Sequence, residues 1–222
     1  MINMEKISIS VQEGNTLQTV ELVTAALQKK HPPAQVLKEG LAAGMIATEK
    51  RFSRNEIHDT EVLLAECAMK AGLNILMPVL EEGQTAFSGT VITGTLEGDI
   101  REIEKDILSC LLQSHGLNVV DLGVNVTNVQ FIEAAIEEKA QVIACTTALT
   151  IFLPQMKSLV QAAAQADIRG KTRILLCGRP VTEWFCKSIE ADMYASCLVQ
   201  AAETAAEFCR KTGAASRTTA KQ

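Results

Sequence analysis

The sequence is short of histidine, aromatic residues and basic charge, and it contains no cysteine pair of the C-x-x-C kind. Each shortage closes off a class of function. Three histidines, none set at ligand spacing from a cysteine pair, leave no zinc pattern. The seven cysteines are odd in number and scattered from Cys67 to Cys209, which argues against a disulfide framework. Free thiols fit a reducing cytoplasm, and MINMEKISIS lacks the basic flank and apolar run of a secretory leader, so a cytoplasmic protein is expected. With 21 basic against 26 acidic residues and a formal charge of -5, neither nucleic acid nor an anionic membrane is an expected partner. No apolar run reaches the roughly 20 residues that cross a bilayer. What the chain does have is 47% hydrophobic and 21% charged residues, enough apolar surface to bury a core without staples.

Two hydrophobic periods divide it. From Asn15 to about Leu80 apolar residues recur at helical spacing, as in Leu17, Val20 and Leu27 and in Val36, Leu37, Leu41 and Met45. Pro32 and Pro33, then Ser53 to Asn55, then Gly72 and Pro78 punctuate this run, which predicts a four-helix cap bundle. Glu81 to Thr85 is polar and contains a glycine, so the domain boundary is expected there, with residues 1–87 as the cap and 88–222 as a second domain.

After the boundary, short β-branched runs alternate with amphipathic stretches. Thr90–Leu96, Asn118–Leu122, Gln141–Cys145 and Arg173–Leu176 are predicted strands, with Met193 and Tyr194 as a fifth. Helices are predicted at about 99–115, 128–139, 154–167, 181–189 and 197–211, with a frayed tail from Gly213. Strands that alternate with helices imply crossover connections, hence an α/β class with a flavodoxin-like, five-stranded parallel sheet.

In such a sheet a ligand sits beyond the carboxyl ends of the strands, where the strand order reverses. That rule selects the loops 95–99, 123–127, 146–150 and 177–180, and it brings Asp99 and Arg101 near Thr146 and Thr147. Each residue also has an ordinary reading. Asp99 stands where a helix N-cap would, the threonines suit local backbone bonds, and Gly178 suits a tight turn. Met45, Val62, Leu63 and Met69 read first as bundle core, Trp184 and Phe185 as helix–sheet packing, and the histidines as surface residues. The first β–α loop has no G-x-G-x-x-G or phosphate-loop pattern, which ranks another nucleotide last among ligands.

Several stretches, taken in order, carry a resemblance. They are Glu39-Gly40-Leu41, Gly44-Met45, Phe52, Ala68-Met69-Lys70, Gly94 to Ile100, Asp121-Leu122-Gly123, Pro154, Met156, Lys157, Pro180-Val181-Thr182, Ala191-Asp192 and Tyr194-Ala195. Together they resemble the methyltransferase corrinoid proteins that serve methanol, methylamine and aryl-ether demethylation. The resemblance implies cobalamin or another corrinoid as cofactor and cognate methyltransferase subunits as partners, with a homodimer as a further assembly. It implies cofactor-binding positions at Met45, Asp99, Arg101, Ile103, Glu104, Thr146, Ala148, Thr150, Cys177, Gly178 and Tyr194. In that family a D-x-H-x-x-G motif ligates cobalt through its histidine and the freed nucleotide tail enters a slot in the domain. Here the stretch reads Asp99-Ile100-Arg101-Glu102-Ile103-Glu104. A guanidinium has no free lone pair, so Arg101 cannot ligate cobalt. The expected function is a corrinoid-binding methyl carrier without the histidine ligand; the alternative is a non-catalytic relative, a sensor or partner-binding scaffold.

Overall fold

The computed structural model describes residues 3–83 and 87–219. The chain divides into two compact units, Met1–Ala86 and Phe87–Gln222. Among the described residues, no helix is long and apolar enough to cross a membrane.

The first unit is helical, with α1 at Met4–Gln12, α2 at Thr16–Gln28, α3 continuous over 33–53 and α4 at Asp59–Gly83. Its membership differs from the expected bundle in two ways. Helix α1 was not foreseen; it starts at Asn3, whose side chain accepts the Glu5 N–H, and it buries Ile7 and Val11 on one face. The expected third and fourth helices are one, because Gly72 and Pro78 both lie inside α4. Gly72 provides closeness rather than a break: a Cβ there would meet the Leu41 side chain at 2.6 Å. Glu81 to Gly83 likewise end the helix instead of opening a linker, and residues 84–86 lie outside the described ones. Within α3, Val36–Ala42 is a π-helical turn containing the Glu39-Gly40-Leu41 stretch, and Gly40 lies against Ile7 of α1. Met45, Val62 and Met69 are fully buried, as bundle core residues are, whereas Leu63, expected with them, is 48% exposed.

The second unit is a doubly wound α/β layer. Strands β1 Thr90–Gly94, β2 Asn118–Asp121, β3 Val142–Thr146, β4 Arg173–Cys177 and β5 Met193–Tyr194 form one sheet in the order β2-β1-β3-β4-β5. Every pairing is parallel. The helices are α5 Ile103–Ser114, α6 Asn128–Glu137, α7 Leu153–Gln165, α8 Glu183–Ser188 and α9 Leu198–Thr219. Helices α5 and α9 pack on one face of the sheet and α6, α7 and α8 on the other.

Three details depart from expectation. Helix α5 begins at Ile103 rather than 99, α9 continues through Gly213 to Thr219, and Trp184 is 78% exposed instead of packed on the sheet. Phe185 does pack against the core. Strand alternation sends Ile92, Ile143, Cys145, Ile174 and Leu176 into the core beneath α6, α7 and α8, leaving their neighbours Thr93, Thr146 and Cys177 to the α5 side.

Candidate functional site

The chain reverses its winding between β1 and β3, so their carboxyl ends open the crevice. The loop after β1 is laced before it reaches the helix. Thr95 Oγ1 donates to the Asp99 carbonyl at 2.5 Å and accepts the Asn125 N–H at 2.9 Å, while Asn125 Oδ1 accepts the Gly98 N–H at 2.7 Å. This network ties the loops after β1 and β2 together and presents the next residues in one conformation.

Asp99 does not cap α5. The helix N-cap is Glu102, which makes no side-chain capping bond. The Asp99 carboxylate is committed elsewhere: Oδ1 accepts the backbone N–H of Arg101 and its Nε, both at 3.1 Å, and Oδ2 accepts Nη2 at 3.1 Å and Thr147 Oγ1 at 3.2 Å. Asp99 is 3% exposed, so this forked, charge-assisted pairing is screened little on the acid's side. The Arg101 guanidinium also lies 6.0 Å over the Phe152 ring, a cation–π arrangement.

One turn further on, Glu104 reaches across to the other loops. Its Oε2 accepts Thr146 Oγ1 at 3.2 Å and its Oε1 lies 3.7 Å from Arg179 Nε. Burial raises the Glu104 pKa above the ordinary carboxylate value, with Arg179, the Thr146 hydrogen bond and Arg101 opposing the shift without reversing it. A carboxyl raised on folding stabilises the fold most when protonated, an advantage complete below the unfolded value of 4.5 and lost as pH rises through the folded one. Glu104→Gln is therefore expected to melt above the wild type at pH 7 and to lose that margin on titration to pH 4.5. Thermal melts across this range check it; a margin that stays constant removes Glu104 as its source.

Behind Glu104, Cys177 is fully buried at the end of β4, with burial pushing its thiol up to about 12, and its Sγ lies 3.9 Å from the Cys145 carbonyl oxygen. It is a packing thiol and no nucleophile. Gly178 follows at φ +125°, and a Cβ built on it would lie 2.0 Å from the Thr147 carbonyl oxygen. The loops after β3 and β4 thus touch backbone to backbone.

The structure brings Asp99, Arg101, Glu104, Thr146, Cys177 and Gly178 into this one corner. Ala148, Thr150 and Tyr194, also named from sequence, lie outside it. Ala148 is half-buried beyond Thr147, Thr150 is exposed at the start of a 3-10 turn, and Tyr194 packs against the core under the opposite sheet face. Met45 belongs to the helical unit. Ile103 opens α5, and its side chain lies outside the described ones.

Arg179, in the selected loop 177–180 but not named as a site residue, is a participant, and so is Lys105, which the sequence reading passed over. The Lys105 ammonium is buried between Asp106 and Asp121. Burial pulls its pKa down, but the hydrogen bonds it donates to both carboxylates outweigh this and leave it above the ordinary value. Its signals were Asp121 and its place one residue after Glu104.

Two chemical properties follow. Among the described residues no three His, Cys, Asp or Glu side chains converge as a metal site, and His115 ends α5, away from the strands' carboxyl edge. The corner holds Arg101, whose guanidinium has no lone pair to offer a metal. Its rim has a different character: Ile100, Val124, Leu149 and Ile151, on the loops after β1, β2 and β3, are exposed at 76, 37, 42 and 66%. An apolar rim at a strand-end crevice suits a broad, largely apolar ring.

Comparison with known proteins agrees with this outline. The B12 binding domain family matches residues 89–208, and a second B12 binding domain family matches residues 4–77. A dimethylamine corrinoid protein of Methanosarcina barkeri is 34% identical over 201 residues, covering 90% of this chain and 92% of that one. A trimethylamine corrinoid protein of Methanosarcina acetivorans is 35% identical, covering 83% and 86%. Among solved structures, the Methanosarcina barkeri monomethylamine corrinoid protein superposes with a TM-score of 0.63 at 27% identity, covering 91% of this chain and 96% of its own. A chain of the methanol:cobalamin methyltransferase complex from the same organism shares the fold, with a TM-score of 0.65 at 23% identity over 94% of this chain and 83% of that one. Matched in both units by sequence and along nearly its whole length by fold, the chain belongs to the B12-binding family of corrinoid proteins, and cobalamin or a related corrinoid is its cofactor.

Proposed function

We propose that the chain is the corrinoid-binding, methyl-carrying subunit of a cytoplasmic methyltransferase system, and that no side chain of its α/β unit ligates the cobalt. The observation that carries the second clause is the Asp99–Arg101 fork: the position that would hold an imidazole holds a guanidinium without a lone pair, engaged through Nε and Nη2. The first clause rests on the family and on the apolar rim. The relatives are methylamine corrinoid proteins, and one fold neighbour was solved within a methyltransferase complex, which supports methyltransferase subunits as partners.

In this reading the corrinoid supplies the methyl chemistry, and the protein contributes a seat and controlled access. Ile100, Val124, Leu149 and Ile151 offer the apolar seat. Asp99 holds the Arg101 cation in place, paired with its own carboxylate. Titrating purified protein with hydroxocobalamin tests the assignment: saturable binding below micromolar is expected. On reduction to the divalent state, EPR spectra from protein carrying nitrogen-15 histidine and from unlabelled protein should superimpose. A histidine-dependent splitting overturns the ligand clause, and absence of binding leaves the partner-binding scaffold as the function.

A further inference from the structure

We infer that the passage between α5 and the sheet is closed by the chain's own side chains, so that this protein recognises the ring of a corrinoid and leaves its nucleotide tail in solvent. The inference rests on the corrinoid-binding reading above and adds which part of the ligand is read.

A phosphate- and sugar-bearing tail running beside α5 would need polar partners and room along three successive levels. At the mouth, Glu104 spans the gap, bonded to Thr146 at 3.2 Å and 3.7 Å from Arg179, and it is 14% exposed on its side chain. It also sets a carboxylate in the path of a phosphodiester, a like-charge contact in partly dehydrated surroundings. Just below, the loops after β3 and β4 leave no width: the missing Cβ of Gly178 would already stand 2.0 Å from the Thr147 oxygen and 2.9 Å from the Thr147 nitrogen. The Cys177 side chain fills the space behind and is fully buried.

Deeper in, the inner face of α5 is sealed. Ile107, Leu108, Leu111 and Leu112 are at most 1% exposed. The hydroxyls at that level bond each other, Thr93 with Ser109 at 3.0 Å, instead of waiting for a ligand. Entry of a tail would break these pairs and strand buried polar groups without partners, which is costly for each. The rim residues Ile100, Leu149 and Ile151, by contrast, are open to solvent.

The test compares two probes on the full-length protein by equilibrium titration: aquocobalamin, which has the nucleotide tail, and diaquocobinamide, which ends before it. Closure predicts dissociation constants within about threefold of each other, a difference below 1 kcal/mol. It also predicts that cobalamin adds no hydrogen-exchange protection to residues 103–114 beyond what cobinamide adds. Cobalamin binding more than tenfold tighter, with new protection along that helix, overturns the inference while upholding corrinoid binding. If neither probe binds, the functional reading itself fails, and the inference with it.

Discussion

Replacing Gly178 by alanine is expected to lower the melting temperature of the α/β unit by about 6–12 °C, the shift that ~3 kcal/mol produces in a protein of this length. Two independent terms add. At φ +125° the backbone occupies a region that L side chains rarely adopt, and the new methyl would meet the Thr147 carbonyl oxygen at 2.0 Å. That neighbour is backbone at the end of a central strand, tied to β4 by the Thr147 N–H donating to the Cys177 carbonyl. It cannot step aside without disturbing the β3–β4 ladder. Gly123→Ala separates the terms: Gly123 also has a positive φ, +79°, but nothing lies within 4 Å of its would-be Cβ. Left-handed strain alone should cost it about 1 kcal/mol. Equal losses in the two variants, read by thermal melts, refute the backbone-contact explanation.

The second large effect is at Asp192. Its Oδ1 accepts from Arg169 Nη2 and Arg173 Nη1, each at 3.0 Å, and its Oδ2 accepts the Ile174 backbone N–H at 2.9 Å. The ladder between β4 and β5 pairs only Leu175 with Met193 and Leu176 with Tyr194, so this one carboxylate extends a two-residue strand's attachment to the sheet. Removing it strands the N–H of a fully buried residue and takes the ion-pair partner from two partly exposed guanidiniums, of which Arg169 keeps the Glu190 carbonyl. Asp192→Ala is expected to cost about 3 kcal/mol in urea denaturation. Asp192→Asn keeps one acceptor oxygen and should lose about half as much. If asparagine is as damaging as alanine, the charge rather than the hydrogen bonds holds the edge.

Asp192 also illustrates how much the sequence discloses. It was visible within a family-like stretch, yet nothing adjacent indicated that its partners lay on the preceding strand and the loop before it. The sheet itself was legible because short β-branched runs alternate with helical stretches, and such crossovers join parallel neighbours; the strand order followed from the flavodoxin-like type. The cap was less so. Asn3, with Ile7 and Val11 four residues apart, carried a helix signal, but MINMEKISIS was weighed only as a leader and the helical pattern was taken to begin at Asn15. Gly72 was read as a stop although its role is to admit Leu41, a fact of tertiary packing that no local rule contains.

In the site, Asp99 and Arg101 could be named because the strand-end rule reaches their loop and they stand at the first and third positions of the D-x-H-x-x-G motif. Arg179 lay in a selected loop as well, but its pairing with Glu104 was not visible, because it depends on β4 ending beside β3. The expectation of an N-cap at Asp99 failed for a related reason. An acidic residue before a helix caps it only if nothing else claims its carboxylate, and here a guanidinium and a hydroxyl do.

The two outer strands have a consequence for how other proteins approach this one. One border of the sheet, β5, is two residues long, and the other, β2, is four residues long and ends at Asp121. Borders this short offer too few free backbone groups to template an added strand, so β-augmentation is closed as a recognition mode and edge-to-edge fibrillation is discouraged along with it. A client protein must grip side chains on loops and helices, where selectivity can be tuned one residue at a time.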